Sequence, residues 1–198
     1  GGDKAVFAWG ITSADSSTNL SNLVSNTGVI ASDGTGVGTA SQAKAGCTYG
    51  SSGQAIFAFG EPINTTANVQ RNLVSSSGVI ASDTNSVNGT RRYWLAAAGY
   101  GGDKGIFAYG TDNDGTNHSI KNLVSNTGVI AADVTGVGTG RQSLEAAGYD
   151  GDKAIFGFGV VGSTNQNVTN LVNNLGVVSA DVTGVGTARR KLGGTSIG

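Results

Sequence analysis

Short apolar runs alternate along the chain with polar, glycine-rich segments, and each apolar run is four to seven residues long. Runs of that length are too short for a stable helix, and they lack the spacing of an amphipathic one. "KGIFAYG" at 104–110 is apolar at consecutive rather than alternate positions. A strand covered on both faces has that pattern. "LEAAGY" (144–149) and "KAIFGFG" (153–159) flank the turn "DGD". "NLVS" (122–125) and "VIAAD" (129–133) flank "NTG". Both arrangements signal β-hairpins. The pattern predicts an all-β chain with four short strands in each unit.

The unit recurs. "KAVFAWG" at 4–10 returns as "QAIFAFG" at 54–60, "KGIFAYG" at 104–110 and "KAIFGFG" at 153–159. "NLVSNTGVIASD" at 22–33 returns as "NLVSSSGVIASD" at 72–83, "NLVSNTGVIAAD" at 122–133 and "NLVNNLGVVSAD" at 170–181. The period is about 50 residues. Four strands per unit, sandwiched between neighbours, match a β-propeller blade, with a β-solenoid as the rival. The blades fall at approximately 1–50, 51–100, 101–150 and 151–198, in a single repeat domain covering 1–198. "RRKLGGTSIG" at 189–198 matches the first strand of a blade. Lys44 to Gln54 spans ten positions, and so does the path from Leu192 through Gly198 into Lys4. Pairing of this last strand with the first blade is therefore expected to close a ring of four and remove a free sheet edge.

A glycine-rich loop, "DGTGVGTA" at 33–40, raises the question of phosphate binding. It returns as "TGVGTG" at 135–140 and "TGVGTA" at 183–188, and as "TNSVNGT" at 84–90 with fewer glycines. A phosphate cradle serves one site at a helix start. A loop repeated in every unit without a helix reads instead as a connection with residues at positive φ.

Composition narrows the function. The formal net charge is −1, so no nucleic-acid partner is indicated. Charged residues make up 13%, glycine 34 of 198 positions, and proline occurs once, at Pro62. No apolar stretch approaches the roughly 18 residues of a membrane span. Cys47 is the sole cysteine, which excludes an internal disulfide.

The order of an Arg, the hairpin "LAAAGYGGDK", the apolar "IFAYG", then "NLV" and an Asp-ended run resembles the kelch repeat. The resemblance implies a propeller of four-stranded blades. Arg92, Arg141 and Arg189 occupy the family's Arg position, and Ser41 stands there in the first unit. Gly10, Gly60, Gly110 and Gly159 match one glycine of the family's pair, and its late Trp has no counterpart. The "FAYG" strand is also similar to the chromosome-condensation-regulator repeat, another propeller. The near-identical "NLVSNTGV…TGVGTAR" arrays resemble those of bacterial and phage surface proteins. That implies an extracellular or virion-surface location.

Candidate chemistry is sparse. His118 is the sole histidine and lies in a polar loop. Cys47 stands where other copies carry Ala98, Ala147 and Thr195, which reads as a buried substitute for a small residue. Asp33, Asp83, Asp133 and Asp181 recur once per unit and are expected to bind backbone N–H groups of the following turn. "TDNDGTN" at 111–117 offers calcium-type oxygens from Asp112 and Asp114, but the EF-hand spacing fails and no other copy matches. No metal or cofactor is expected. Copper oxidases of the kelch class need more His and Cys than this chain has.

The units differ in two places: the segments after "FAYG" (11–21, 61–71, 111–121, 160–169) and the connector at 88–94. Both are expected at one end of the blades, with the uniform turns at the other. Tyr93 and Trp94 break the repeat, and Arg91 and Arg92 adjoin them. Exposed aromatics stack on sugars or anchor proteins, and guanidinium groups bind carboxylate or sulfate. The candidate binding residues are Tyr93, Trp94, Arg91, Arg92, Asp112 and Asp114. The expectation is a non-enzymatic surface or virion appendage that presents variable loops to a glycan or protein. The alternative is a structural shell or filament subunit, a homo-oligomer.

Overall fold

The computed structural model describes residues 3–12, 16–62, 70–85 and 89–197. Among them there is no helix, and small antiparallel sheets follow the repeat. The first sheet joins β1 (Ala5–Ile11), β2 (Ser17–Val24), β3 (Ser41–Gln42) and, from the next unit, β6 (Glu61–Pro62). The second joins β4 (Ala45–Tyr49), β5 (Gln54–Ala58), β7 (Gln70–Val74) and β8 (Thr84–Asn85). The third is β9 (Ala96–Tyr100), β10 (Lys104–Ala108) and β11 (Lys121–Val124). The fourth is β12 (Glu145–Tyr149), β13 (Lys153–Gly157) and β16 (Thr169–Val172). A two-stranded ribbon, β14 (Val160–Val161) with β15 (Thr164–Asn165), rises from the fourth unit. Each first hairpin keeps one register: Tyr49↔Gln54, Tyr100↔Lys104 and Tyr149↔Lys153.

Apolar side chains from both faces of the middle strands form the core. Ile106 and Phe107, adjacent in β10 and pointing to opposite sides, are both fully buried. One apolar cluster lies between the second and third sheets around Ile56, Phe107, Val124 and Ile130. A second lies between the third and fourth around Ile106, Tyr109, Phe156 and Val178. The third sheet thus lies between two cores, and its consecutive apolar positions are covered on both faces.

The fourth expected run in each unit is not a full strand. It makes single bridges, Val24↔Ile30, Val74↔Ile80, Val124↔Ile130 and Val172↔Val178. A side chain shortens the ladder. Asn72, Asn122 and Asn170 send Nδ2 to the carbonyls of Ala81, Ala131 and Ser179, each at 3.1 Å, in place of backbone donors.

The same asparagines hold the recurring aspartates. Asn72 Nδ2 donates to Asp83 Oδ1 (2.8 Å), Asn122 to Asp133 (2.9 Å) and Asn170 to Asp181 (2.9 Å). The other carboxylate oxygen does not bond the following turn. It reaches the glycine-rich loop of the preceding unit. Thr39 N–H and Oγ1 both donate to Asp83 Oδ2 at 2.7 Å. Thr90 N–H donates to Asp133 Oδ2 at 2.7 Å. Thr139 N–H (2.9 Å) and Oγ1 (2.6 Å) donate to Asp181 Oδ2. The loop does cradle an anion, and the anion is a side chain of the next sheet. Glycine is needed because a Cβ on Gly138, at φ +82°, would stand 2.2 Å from Asp181 Oδ1.

Burial opposes charge on Asp83, Asp133 and Asp181. Their Asn and Thr donors and the cations Lys44, Arg92 and Arg141 overcome it and hold all three below the ordinary aspartate value.

The first strands β4, β9 and β12 lie side by side, and residues 193–197 continue the series. Ser196 Oγ accepts from Gly148 N–H at 3.0 Å. Thr48–Tyr49, Gly99–Tyr100, Gly148–Tyr149 and Ser196–Ile197 line one cavity of about 270 Å³. Residues 193–197 form no ladder with β1, whose edge stays open. Gly193 and Gly194 stand where other copies carry Ala45–Gly46, Ala96–Ala97 and Glu145–Ala146, and they offer no side chains to pack.

The joint makes a quantitative expectation. Asp133→Ala removes the charged acceptor shared by Asn122 and Thr90 and should lower unfolding free energy by about 2 kcal/mol at pH 7. The folded carboxyl titrates below the unfolded one, so its contribution is present above about pH 4 and lost as pH falls. Urea unfolding across pH should show the gap between variant and parent shrinking in acid.

Candidate binding face

The variable loops and the connectors emerge together, as the repeat comparison anticipates. Connector residues pair with the loop of the next unit at Ser41↔Pro62, Tyr93↔Thr111 and Gln142↔Val160. Parts of these loops, 13–15 and 63–69, and the connector residues 86–88 lie outside the described residues. Ala43, Trp94, Ser143 and Lys191 occupy equivalent positions at positive φ, between 50° and 55°. They gather at the loop side of the sheets. Ser143 N–H donates to Trp94 O (2.8 Å), and Lys191 N–H donates to Ser143 O (2.9 Å). With Lys44, Leu95 and Leu144 they line a cavity of about 240 Å³.

Trp94 is 40% exposed at this cavity. Tyr93 supports it edge-on, with ring centroids 5.1 Å apart at 76°. Tyr93 is held from behind by mutual backbone hydrogen bonds with Thr111. Burial, then Glu61 and Asp112, raises its phenol above the ordinary value, while Arg91 opposes. Tyr93, Trp94, Arg91 and Asp112 therefore share one region.

Arg92 has another position. It is fully buried, donates to Asn122 Oδ1, and lies 4.9 Å over the Phe59 ring. Arg141 repeats this with Asn170 Oδ1 (2.8 Å) and the Tyr109 ring (4.2 Å). Asp112 is already engaged. It accepts from the N–H groups of Asp114 (3.0 Å) and Thr116 (2.9 Å) and pairs with His118 Nε2 at 2.9 Å. The loop at 111–118 is thus closed on itself, His118 is partly buried rather than a free surface group, and Asp114 stays exposed. The Cys47 sulfur would lie 2.5 Å from a Cβ on Gly105, and burial pushes its thiol up to about 12, which makes it unreactive.

One residue escaped the repeat comparison. Ser41 occupies the Arg position in the first unit, but Lys44 does the work. Its Nζ lies 4.6 Å over the Trp9 ring and donates to Asn72 Oδ1 at 3.3 Å, the two kinds of partner that Arg92 and Arg141 use. The signal was a cation three positions later in the only copy lacking the Arg.

No model of a known protein family and no curated protein matches this sequence.

Burial lowers the Lys44 ammonium to about 8, with Asp83 opposing. The unfolded chain therefore holds more protons between about pH 8 and 10.5, and stability rises with pH there. Cys47 and Tyr109, both raised to about 12 by burial, act in the opposite sense, the thiol from about pH 9 and the phenol only above the ordinary tyrosine value. Unfolding midpoints measured from pH 8 to 9 should rise in the parent, and that rise should be lost in Lys44→Met.

Proposed function

We propose that this chain is a non-enzymatic recognition module, a kelch-like propeller of four blades whose C-terminal strand completes the first. It presents its variable loop face to a glycan or a surface protein, at the exterior of a cell or virion. One observation carries the reading: an exposed tryptophan, braced by a tyrosine, sits at a shared cavity on the side where the variable loops and connectors of successive sheets meet. Binding residues favour loops held on a rigid scaffold, and a braced aromatic gives contact area at low conformational cost. Trp94, Tyr93 and Arg91 are the proposed contacts, with Asp114 exposed nearby and Arg92 and Asp112 as supports.

The open edge of β1 favours a second reading, a structural shell or filament subunit joined through sheet edges. Light scattering over a hundredfold concentration range separates the two, since a constant monomer mass counts against assembly.

A glycan array and a pull-down from host envelopes test recognition. The parent should bind, and Trp94→Ala should lose at least tenfold in affinity while keeping its thermal midpoint. Blank results in both assays sink the proposal.

A further inference from the structure

Three contacts between successive sheets repeat the same set of interactions, and the fourth set is present but divided. The glycine loop of one unit holds the aspartate of the next at Thr39–Asp83, Thr90–Asp133 and Thr139–Asp181. Thr187 stands at the same loop position in the fourth unit. Asp33 is the remaining aspartate. It is exposed, and Asn22 donates to it at 2.9 Å. Neither residue shows a carboxylate-to-loop bond among the described residues.

Other half-contacts agree. The aromatic before each strand-ending glycine meets the phenylalanine of the next sheet: Trp9–Phe57, Phe59–Phe107 and Tyr109–Phe156, with centroids 5.2–5.4 Å apart. The series leaves Phe158 and Phe7, and Phe7 is 62% exposed where Phe107 and Phe156 are fully buried. A Cβ on Gly128 would touch Leu73 and Tyr49, and one on Gly176 would touch Leu123 and Tyr100. Gly28 is the counterpart with nothing near it, and Leu171 and Tyr149, the counterparts of those side chains, are exposed. Arg189 lies 3.8 Å over Phe158, as Arg92 and Arg141 lie over their rings, and has no asparagine partner among the described residues.

We propose that the loop at 183–187, with Arg189, is a receptor for the side-chain carboxylate of Asp33, which joins the fourth sheet to the first within one chain. The occupant is the same chain because the first strands β4, β9 and β12 and residues 196–197 already border one cavity. A cleft of about 410 Å³ between β1 and the β4–β5 hairpin adjoins that cavity at Thr48 and can receive residues 193–197. By the register of the other sheets, Ile197 would face Lys4 and Thr195 would face Val6. The inference rests on the four-bladed reading and adds its fastening.

Amide hydrogen exchange on the full chain tests it, with the mass in solution measured on the same sample. In a monomer, the Thr187 amide should be protected to within about tenfold of the Thr139 amide, and Asp33→Ala should remove that protection while leaving Thr139 protected. Free exchange at Thr187 in the parent overturns the proposal. Protection that vanishes on dilution together with a dimer mass overturns the same-chain source and puts the carboxylate on a second copy. If Asp33→Ala does not fold, Thr187→Ala replaces it. Its unfolding midpoint should drop as far as that of Thr139→Ala, and an unchanged midpoint overturns the joint. Ligand binding is read separately on the arrays, so a blank array with a protected Thr187 rejects recognition and keeps the joint.

Discussion

A carboxylate at the seam between two sheets, only partly shielded from water, takes donors from both, and that pairing organises this molecule. Each inter-sheet aspartate draws on an asparagine of its own sheet, a threonine and glycine loop of the preceding one, and a nearby cation. The arrangement couples a threonine and an aspartate 42 to 44 residues apart in sequence. Because the donors come from two sheets, the charge is satisfied only when the sheets are docked. A polar group that is costly unpaired thereby fixes the relative placement of layers that apolar contact alone would leave free to slide.

The apolar half of each contact follows the same geometry. An aromatic at positive φ turns out of its strand and lies between the buried cation of its own connector and the phenylalanine of the next sheet. Lys44 shows that the fold requires a positive charge at that spot rather than a particular residue. A lysine three positions later reaches the same ring and the same kind of amide oxygen. The lysine is the poorer substitute, since a compact ammonium loses more on leaving water than a guanidinium does.

This construction separates scaffold from display. Hydrogen bonds and cores use the uniform positions, so the loops at the opposite end from the "GGDK" and "SNTG" turns are free to differ. Among them the 93–94 connector and the 111–118 loop are tied to each other, which gives Trp94 a rigid setting. Asp112, which looks like a cation ligand in sequence, spends its oxygens on closing that loop.

The sequence by itself determined the all-β class and the middle strand β10, buried on both faces. Those depend on local pattern, and a consecutive apolar run such as Ile106–Phe107 has no other stable use in short segments. It also marked the aspartates, the glycine loops and the 93–94 aromatics as special. It misassigned the partner of the aspartates and gave the fourth run too much strand, because a side chain's partner from another unit is not encoded in neighbouring residues. Only the tertiary structure showed that the anion in the glycine loop is a carboxylate from the next sheet, that Lys44 replaces the missing arginine, and that Arg92 faces inward. Each of these is settled by which groups meet across 28 to 44 residues of chain, where a polar group's choice of partner is a matter of geometry rather than of sequence.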